Sequence, residues 1–288
     1  MELIHTLLFM IRENSLEYDT KMAQKCLKTL EKSRYKTVVV YNQGFWSNEK
    51  LNDFLKEYNL QCFIIGNGEN VGIVAGRQNC FEYVWKLPGV SFVSELHVDM
   101  AFTFNWEDAL VDYLKSNENE PLIGCGIVSK EGELICLNEF TAPPPQETEL
   151  LDGYLQNLKR DTVTNGLTHP CIHKMEVLKA VGGFNTRFLR GKQAYEDDSL
   201  LIGYHYYYGI RANWKPKINY NSVVCHDLAA QRYDVNDAGF TNYQGLVALY
   251  GAMGLKTLAG IHKNQWPVDF FTGKYKEMEA ERLAALGN

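Results

Sequence analysis

The sequence predicts an α/β fold with a mostly parallel central sheet flanked by helices. From Leu3 to Leu114, short apolar runs alternate with segments of helical periodicity, the order that a parallel sheet covered on both faces imposes. Within that stretch Val38-Val39-Val40 is apolar at successive positions, as a strand buried on both faces requires. The chain can build such a core, since its 288 residues are 45% hydrophobic and 22% charged.

Each element follows in order. Leu3–Ile11 reads as a strand. Asp19–Ser33 reads as a helix with Asp19 as its N-cap, because Met22, Ala23, Cys26, Leu27 and Leu30 fall at helical spacing. Lys36–Tyr41, Cys62–Ile65 and Val90–Leu96 are the next strands, alternating with helices over Leu51–Tyr58, Val71–Lys86 and Trp106–Leu114. Pro121–Val128 and Glu133–Leu137, on either side of Lys130-Glu131-Gly132, form a hairpin. Ala142-Pro143-Pro144-Pro145 is a loop, since proline cannot join a sheet ladder or a helix interior. Beyond it come a short helix over Glu176–Ala180 ended by Gly182-Gly183, a helix over Asp198–Tyr208 and a strand over Ile218–Cys225. Glu277–Leu286 closes the chain as an amphipathic helix, so residues 1–235 are expected to form one domain and 236–288 a helical extension packed on it.

Composition removes several classes of partner. With 29 Lys+Arg against 35 Asp+Glu the net charge is −6, which gives no electrostatic footprint for nucleic acid. Spanning a bilayer takes about 20 consecutive apolar residues, and no run approaches that, so no transmembrane segment is expected. Leu3–Ile11 has no basic n-region or small-residue cleavage site and does not read as a signal peptide. The seven cysteines are scattered without a Cys-x-x-Cys pair, which fits reduced, mostly buried thiols in a cytoplasmic protein.

Three segments carry candidate chemistry. His97 and Asp99 share one face at the end of the fourth strand, where open α/β sheets bind ligands; Asp99 either holds a divalent cation or caps the helix that follows. Glu196-Asp197-Asp198 stand together before an apolar helical run. Acids there offset the helix macrodipole, but three adjacent like charges also suit cation binding or a raised pKa for base catalysis. His226 ends another strand, as a metal ligand or as a hydrogen-bonded boundary residue. His169 and His173 flank Pro170 and show no ligand spacing. The aromatic run Tyr204-His205-Tyr206-Tyr207-Tyr208 either stacks on a sugar or packs in the core.

In this order the segments resemble the family-2 glycosyltransferases and their relatives with the Rossmann-like GT-A fold, over roughly residues 1–230. Those enzymes show an Asn-x-Gly helix start, an Asp-x-Asp-like motif, a Gly-Gly-Phe-Asp turn, a Glu-Asp-x-Asp-Leu helix start and a late His. Here stand Asn70-Val71-Gly72, His97-Val98-Asp99, Gly182-Gly183-Phe184-Asn185, Glu196-Asp197-Asp198-Ser199-Leu200 and His226. The resemblance implies an inverting, metal-dependent transfer of a sugar from a UDP- or GDP-linked donor to a carbohydrate, lipid-linked or protein acceptor, with a peripheral position at a membrane face left open. Asp99 and His226 would ligate Mn²⁺ or Mg²⁺, and Asp197 would be the base with Glu196 beside it. Asn42, Arg77, His97, Asp99 and Gly183 would contact the nucleotide sugar. His97 and Ser199 replace acids of the family pattern, Gly203 an Arg and Asn42 an Asp, which leaves a catalytically impaired sugar-nucleotide or glycan-binding protein as the alternative.

Other chemistries fit less well. A glycosidase needs two carboxylates flanking the scissile bond about 5–9.5 Å apart, unlike adjacent Glu196 and Asp197. A nucleotidyltransferase opens with a Gly-rich basic loop, whereas Arg12-Glu13-Asn14-Ser15 follows the first strand here; Gly66-Asn67-Gly68 lacks the third glycine of a dinucleotide fingerprint.

Overall fold

A computed structural model describes residues 2–209, 213–228, 230–231 and 235–286. The first half alternates as expected: β1 (Leu3–Phe9), α1 (Leu16–Leu30), β2 (Thr37–Asn42), α2 (Asn48–Leu55), β3 (Gln61–Gly66), α3 (Gly72–Val84), β4 (Phe92–His97), β5 (Met100–Ala101) and α4 (Asp108–Ser116). The second half runs β6 (Leu122–Val128), β7 (Glu133–Leu134), β8 (Glu139–Phe140), α5 (Thr148–Leu158), β9 (Val163–Asn165), β10 (Cys171–Lys174), α6 (Met175–Val181), α7 (Glu196–Tyr207) and β11 (Lys217–His226). Two long helices, α8 (Val235–Ile261) and α9 (Gln265–Leu286), complete it.

The strands form one sheet in the order β3-β2-β1-β4-β10-β6-β11-β5. β3, β2, β1 and β4 are mutually parallel, as are β6 and β11, and β10 runs antiparallel to both its neighbours. Side-chain alternation sorts the core into two layers. Leu3, Leu7, Val38 and Val40 face α1, α2 and α4, while Ile4, Val39 and Tyr41 face α3, α6 and α7. The buried His5 belongs to this scaffold: it stacks on Trp106 and bonds Ser94 Oγ at 2.7 Å, and burial lowers its pKa to about 4.

Four expectations are corrected. Asp19 is not an N-cap: the cap position is Ser15, and Asp19 lies buried inside α1, accepting from the Arg12 backbone N–H at 2.8 Å and its guanidinium at 2.7 Å. The closing helix begins at Gln265 rather than Glu277. α5 and the short strands β5, β8, β9 and β10 were not expected. Within the expected helical extension α8 itself was not delimited, because its glycine-rich sequence discourages a helix; packing overrides the propensity, since Gly245 touches the Phe188 carbonyl so closely that a Cβ would collide, and the helix breaks at Gly251 (φ 59°, ψ −160°). The expected boundary at 235/236 abuts residues 232–234, which lie outside the described residues. α8 and α9 pack on each other and on α7 through Ile202, Leu246, Leu255, Leu258 and Phe271. All seven cysteines are free thiols, five of them buried.

Candidate active site

The site is built where β4 ends. After His97 the chain turns through Val98-Asp99 into β5, which pairs antiparallel with the last residues of β11, Met100 opposite His226. That short pairing is what sets Asp99 beside His226, and the Asp99 carbonyl also accepts from Asp227 N at 2.9 Å. The helix after Asp99 starts only at Asp108, so Asp99 caps nothing.

His226 Nε2 stands 3.2 Å from Asp99 Oδ1 and 3.3 Å from His97 Nδ1. The His226 Nδ1 faces the His169 carbonyl at 3.1 Å and so carries a hydrogen, and the neutral ring then offers a lone pair on Nε2. Asp99 Oδ1 is buried and receives no hydrogen bond. Two lone-pair atoms therefore confront each other, a stable arrangement when a cation lies between them. Ligands about 2.1 Å from one metal ion stand roughly 3–3.5 Å apart, so the donor set and spacing fit a divalent ion. His97 Nδ1, the third possible ligand atom of this group, lies 3.3 Å from His226 Nε2 and 4.0 Å from Asp99 Oδ1, while Arg77 Nη2 meets its Nε2.

Arg77, on α3, is 2% exposed and joins the elements of the site. Its Nε lies 2.9 Å from Glu95 Oε2, its Nη1 is 3.2 Å from Asp197 Oδ1, and its Nη2 meets His97. Burial opposes the guanidinium charge, yet Glu95, Asp197 and Glu196 hold its pKa above the usual range. Glu95 is fixed from behind by a relay: its Oε1 is 2.7 Å from His173 Nε2, and His173 Nδ1 is 2.8 Å from the Tyr204 hydroxyl. Burial alone would raise the Glu95 pKa; Arg77 and His173 outweigh it and bring it down to about 2.

The acids enter at the N-terminus of α7. Ala194 (φ 74°) and Tyr195 (φ 61°) precede them in left-handed backbone that costs non-glycine residues about 1–2 kcal/mol each, strain concentrated beside the acids. Asn242 of α8 holds this path: its Oδ1 accepts from Gly191 N at 2.6 Å, and its Nδ2 lies 2.8 Å from the Ala194 carbonyl and 3.2 Å from that of Gln193. Asp197, its side chain 35% exposed, points at Arg77 and has His169 Nε2 at 3.6 Å. Glu196 is buried with Oε2 unbonded; burial and its neighbours Asp197 and Asp198 push its pKa up to about 8 against the pull of Arg77. Asp198 turns away and pairs with His262 Nε2 at 2.7 Å, rather than with backbone N–H groups of its own helix.

The geometry thus gathers Arg77, His97, Asp99, Glu196, Asp197 and His226, and leaves two expected residues at the periphery. Asn42 is fully buried at the same sheet edge, its amide donating to the Trp46 carbonyl at 2.9 Å and Asn48 Oδ1 at 2.8 Å. Gly183 (φ 65°) packs where a Cβ would collide with Gln78 Oε1, a position that admits only glycine. Tyr204 is core. Sequence reasoning missed Glu95, His169 and His173. His169 stacks on His97 with ring centres 5.3 Å apart. A strand pairing in register, Cys171 opposite Glu95, is what unites them, and no motif spacing announces it.

No protein-family model matches the sequence, and no curated protein matches it. Solved structures do match its fold. The structure of GalNAc-T7 with UDP, GalNAc and Mn²⁺ aligns over 96% of this chain and 54% of its own, with TM-score 0.59 and 12% identity. S. aureus TarS aligns over 96% of this chain and 43% of its own, with TM-score 0.54 and 12% identity. Its 1–349 fragment in complex with UDP covers 96% and 70%, with TM-score 0.53 and 13% identity. This chain spans about half the length of the first two. At such identity the likeness is one of architecture, and it is specific: the chain has the GT-A fold of the glycosyltransferases.

Proposed function

We propose that the protein is a metal-dependent, inverting glycosyltransferase that moves a hexosyl group from a UDP- or GDP-linked donor to an acceptor hydroxyl. The observation that carries this reading is the bridge made by Arg77, which holds Asp197 on one nitrogen and His97, beside Asp99 and His226, on another. Base and donor site are thereby set side by side. In this reading residues 1–235 carry the transfer chemistry and 236–288 complete the acceptor side.

Asp197 takes the proton of the acceptor hydroxyl as that oxygen bonds to the anomeric carbon and the bond from carbon to the diphosphate oxygen breaks, so the nucleoside diphosphate departs with the electron pair. Attack from the face opposite the leaving group inverts the centre. Arg77 orients Asp197, and Glu95 with His173 keeps Arg77 in place. Asp99 and His226 would hold the Mn²⁺ or Mg²⁺, which when bound supplies Lewis-acid neutralisation of the charge on the leaving diphosphate. One feature favours the second reading, a sugar-nucleotide binder without turnover: Arg77 engages His97 Nε2, and the ligand group among the described residues contains a single carboxylate, Asp99.

Transfer or hydrolysis from a panel of UDP- and GDP-sugars with Mn²⁺ separates the two. Asp197→Asn is expected to lower turnover by about 10²–10⁴-fold with nucleotide affinity retained, and Asp99→Ala to weaken Mn²⁺-dependent UDP binding by about tenfold or more. Nucleotide binding without any turnover in the parent protein establishes the binder.

A further inference from the structure

A cavity of about 830 Å³ is lined by the acids of α7, and neither Asp99 nor His226 belongs to its lining. Its floor is Glu196, Asp197 and Asp198; its far wall belongs to α8 and α9. That wall is aromatic and partly bare. Trp266 is 70% exposed and Phe240 61%, yet both line the cavity, and Trp266 stacks parallel to Phe270 with ring centres 5.5 Å apart, so one indole face is backed by protein and the other is open. An exposed indole braced in this way is a preformed plane.

We propose that this cavity is an acceptor subsite for an uncharged oligosaccharide whose pyranose ring lies on the open face of Trp266, an inference that rests on the transferase reading only for the word acceptor. A pyranose offers an apolar face of C–H groups and a rim of hydroxyls. The indole plane meets the first, and carboxylates at the floor accept hydrogen bonds from the second. Charge favours a neutral ligand: Asp197 is held by Arg77, Asp198 by His262 and Lys274 by Glu277, and the lining carries carboxyls together with Lys263 and Lys274, so no field of one sign draws in an ionic ligand. A lipid tail would set hydrocarbon against the floor carboxyls and strip them of water, which disfavours it. The cavity is also large enough for more than one ring, within the usual range of about 300–1,000 Å³ for ligand sites.

The test uses the full chain and a fixed set of probes: cellobiose, lactose, maltose, chitobiose and mannobiose, titrated while saturation-transfer NMR and tryptophan fluorescence are followed. Trp266 is the strongly exposed indole among the five tryptophans, three of the others being buried, so its emission reports the subsite. At least one disaccharide is expected to bind in the millimolar range. Trp266→Ala should weaken that binding by about tenfold and Trp266→Phe should restore most of it, since the plane rather than the indole N–H makes the contact. Thermal unfolding of the two variants, expected to match the parent because the side chain is mostly exposed, shows that fold is not what changed. No binding by any probe, or binding indifferent to Trp266→Ala, overturns the subsite. Disaccharide binding that depends on Trp266, in a protein that turns over no nucleotide sugar, leaves the subsite standing and removes the transferase.

Discussion

Glu95 on β4 and Glu196 at the start of α7 are both buried, and both lie within the field of Arg77, yet their carboxyls are driven in opposite directions. Glu95 falls to about 2 and Glu196 rises to about 8. Burial opposes ionisation in each. What differs is company: Glu95 has a guanidinium 2.9 Å away and an imidazole 2.7 Å away, whereas Glu196 has two carboxylates as sequence neighbours. One guanidinium can compensate the carboxylate it touches and Asp197 beyond it, and the third acid in the cluster is left to hold its proton. The same pocket thus contains one carboxyl driven down and another driven up, set by partner geometry rather than by residue type.

The largest expected effect comes from breaking the shared partner. Arg77→Met strands Glu95 as an uncompensated buried charge and should cost about 3–5 kcal/mol in urea unfolding at neutral pH. Adding Glu95→Gln to it should recover part of that loss; equal stability of the single and double variants would show that Glu95 is not the stranded group. The pH dependence sharpens the contrast. Glu95, depressed in the fold, contributes stability above its ordinary value near 4.5 that disappears as pH falls from there toward 2. Glu196, raised in the fold, contributes stability present below about 4.5 that disappears as pH climbs through 8. Glu196→Gln keeps the neutral form at every pH, so at pH 8 to 9 it should exceed the parent by roughly 1–3 kcal/mol, and Glu95→Gln should do the reverse at neutral pH. The smallest effect is that of Asp198→Asn: removing one neighbouring charge should lower the alkaline transition of Glu196, while weakening the His262 pair by about 1 kcal/mol and changing turnover little.

Much of this arrangement is legible in the sequence because it follows local rules. The β-branched Val38-Val39-Val40, the periodic Ala23-Cys26-Leu27-Leu30 and the Gly182-Gly183 stop each dictate an element by themselves. His97, Asp99, Asp197 and His226 stand out as chemistry at element ends. Glu95 and His173 do not, because Glu95 sits inside the mostly apolar β4 and His173 in the short β10, and they become polar machinery only when β10 inserts against β4. β10 itself is four residues long with a histidine and a lysine in it, too short and too mixed for periodicity to mark. α8 was hidden for the opposite reason: its glycines argue against a helix locally, and only contact with α7 and Phe188 makes a helix the better choice there.

The single buried amide of Asn242 ties the loop that delivers the acids to a helix more than forty residues later in the chain. Local opening of α8 would free residues 191–194 and let the left-handed Ala194-Tyr195 pair relax, and the acids would lose their address while the sheet stayed folded. Such an opening would give the site a melting point of its own, below that of the protein that carries it, and amide exchange along α8 compared with β1 measures how often it occurs.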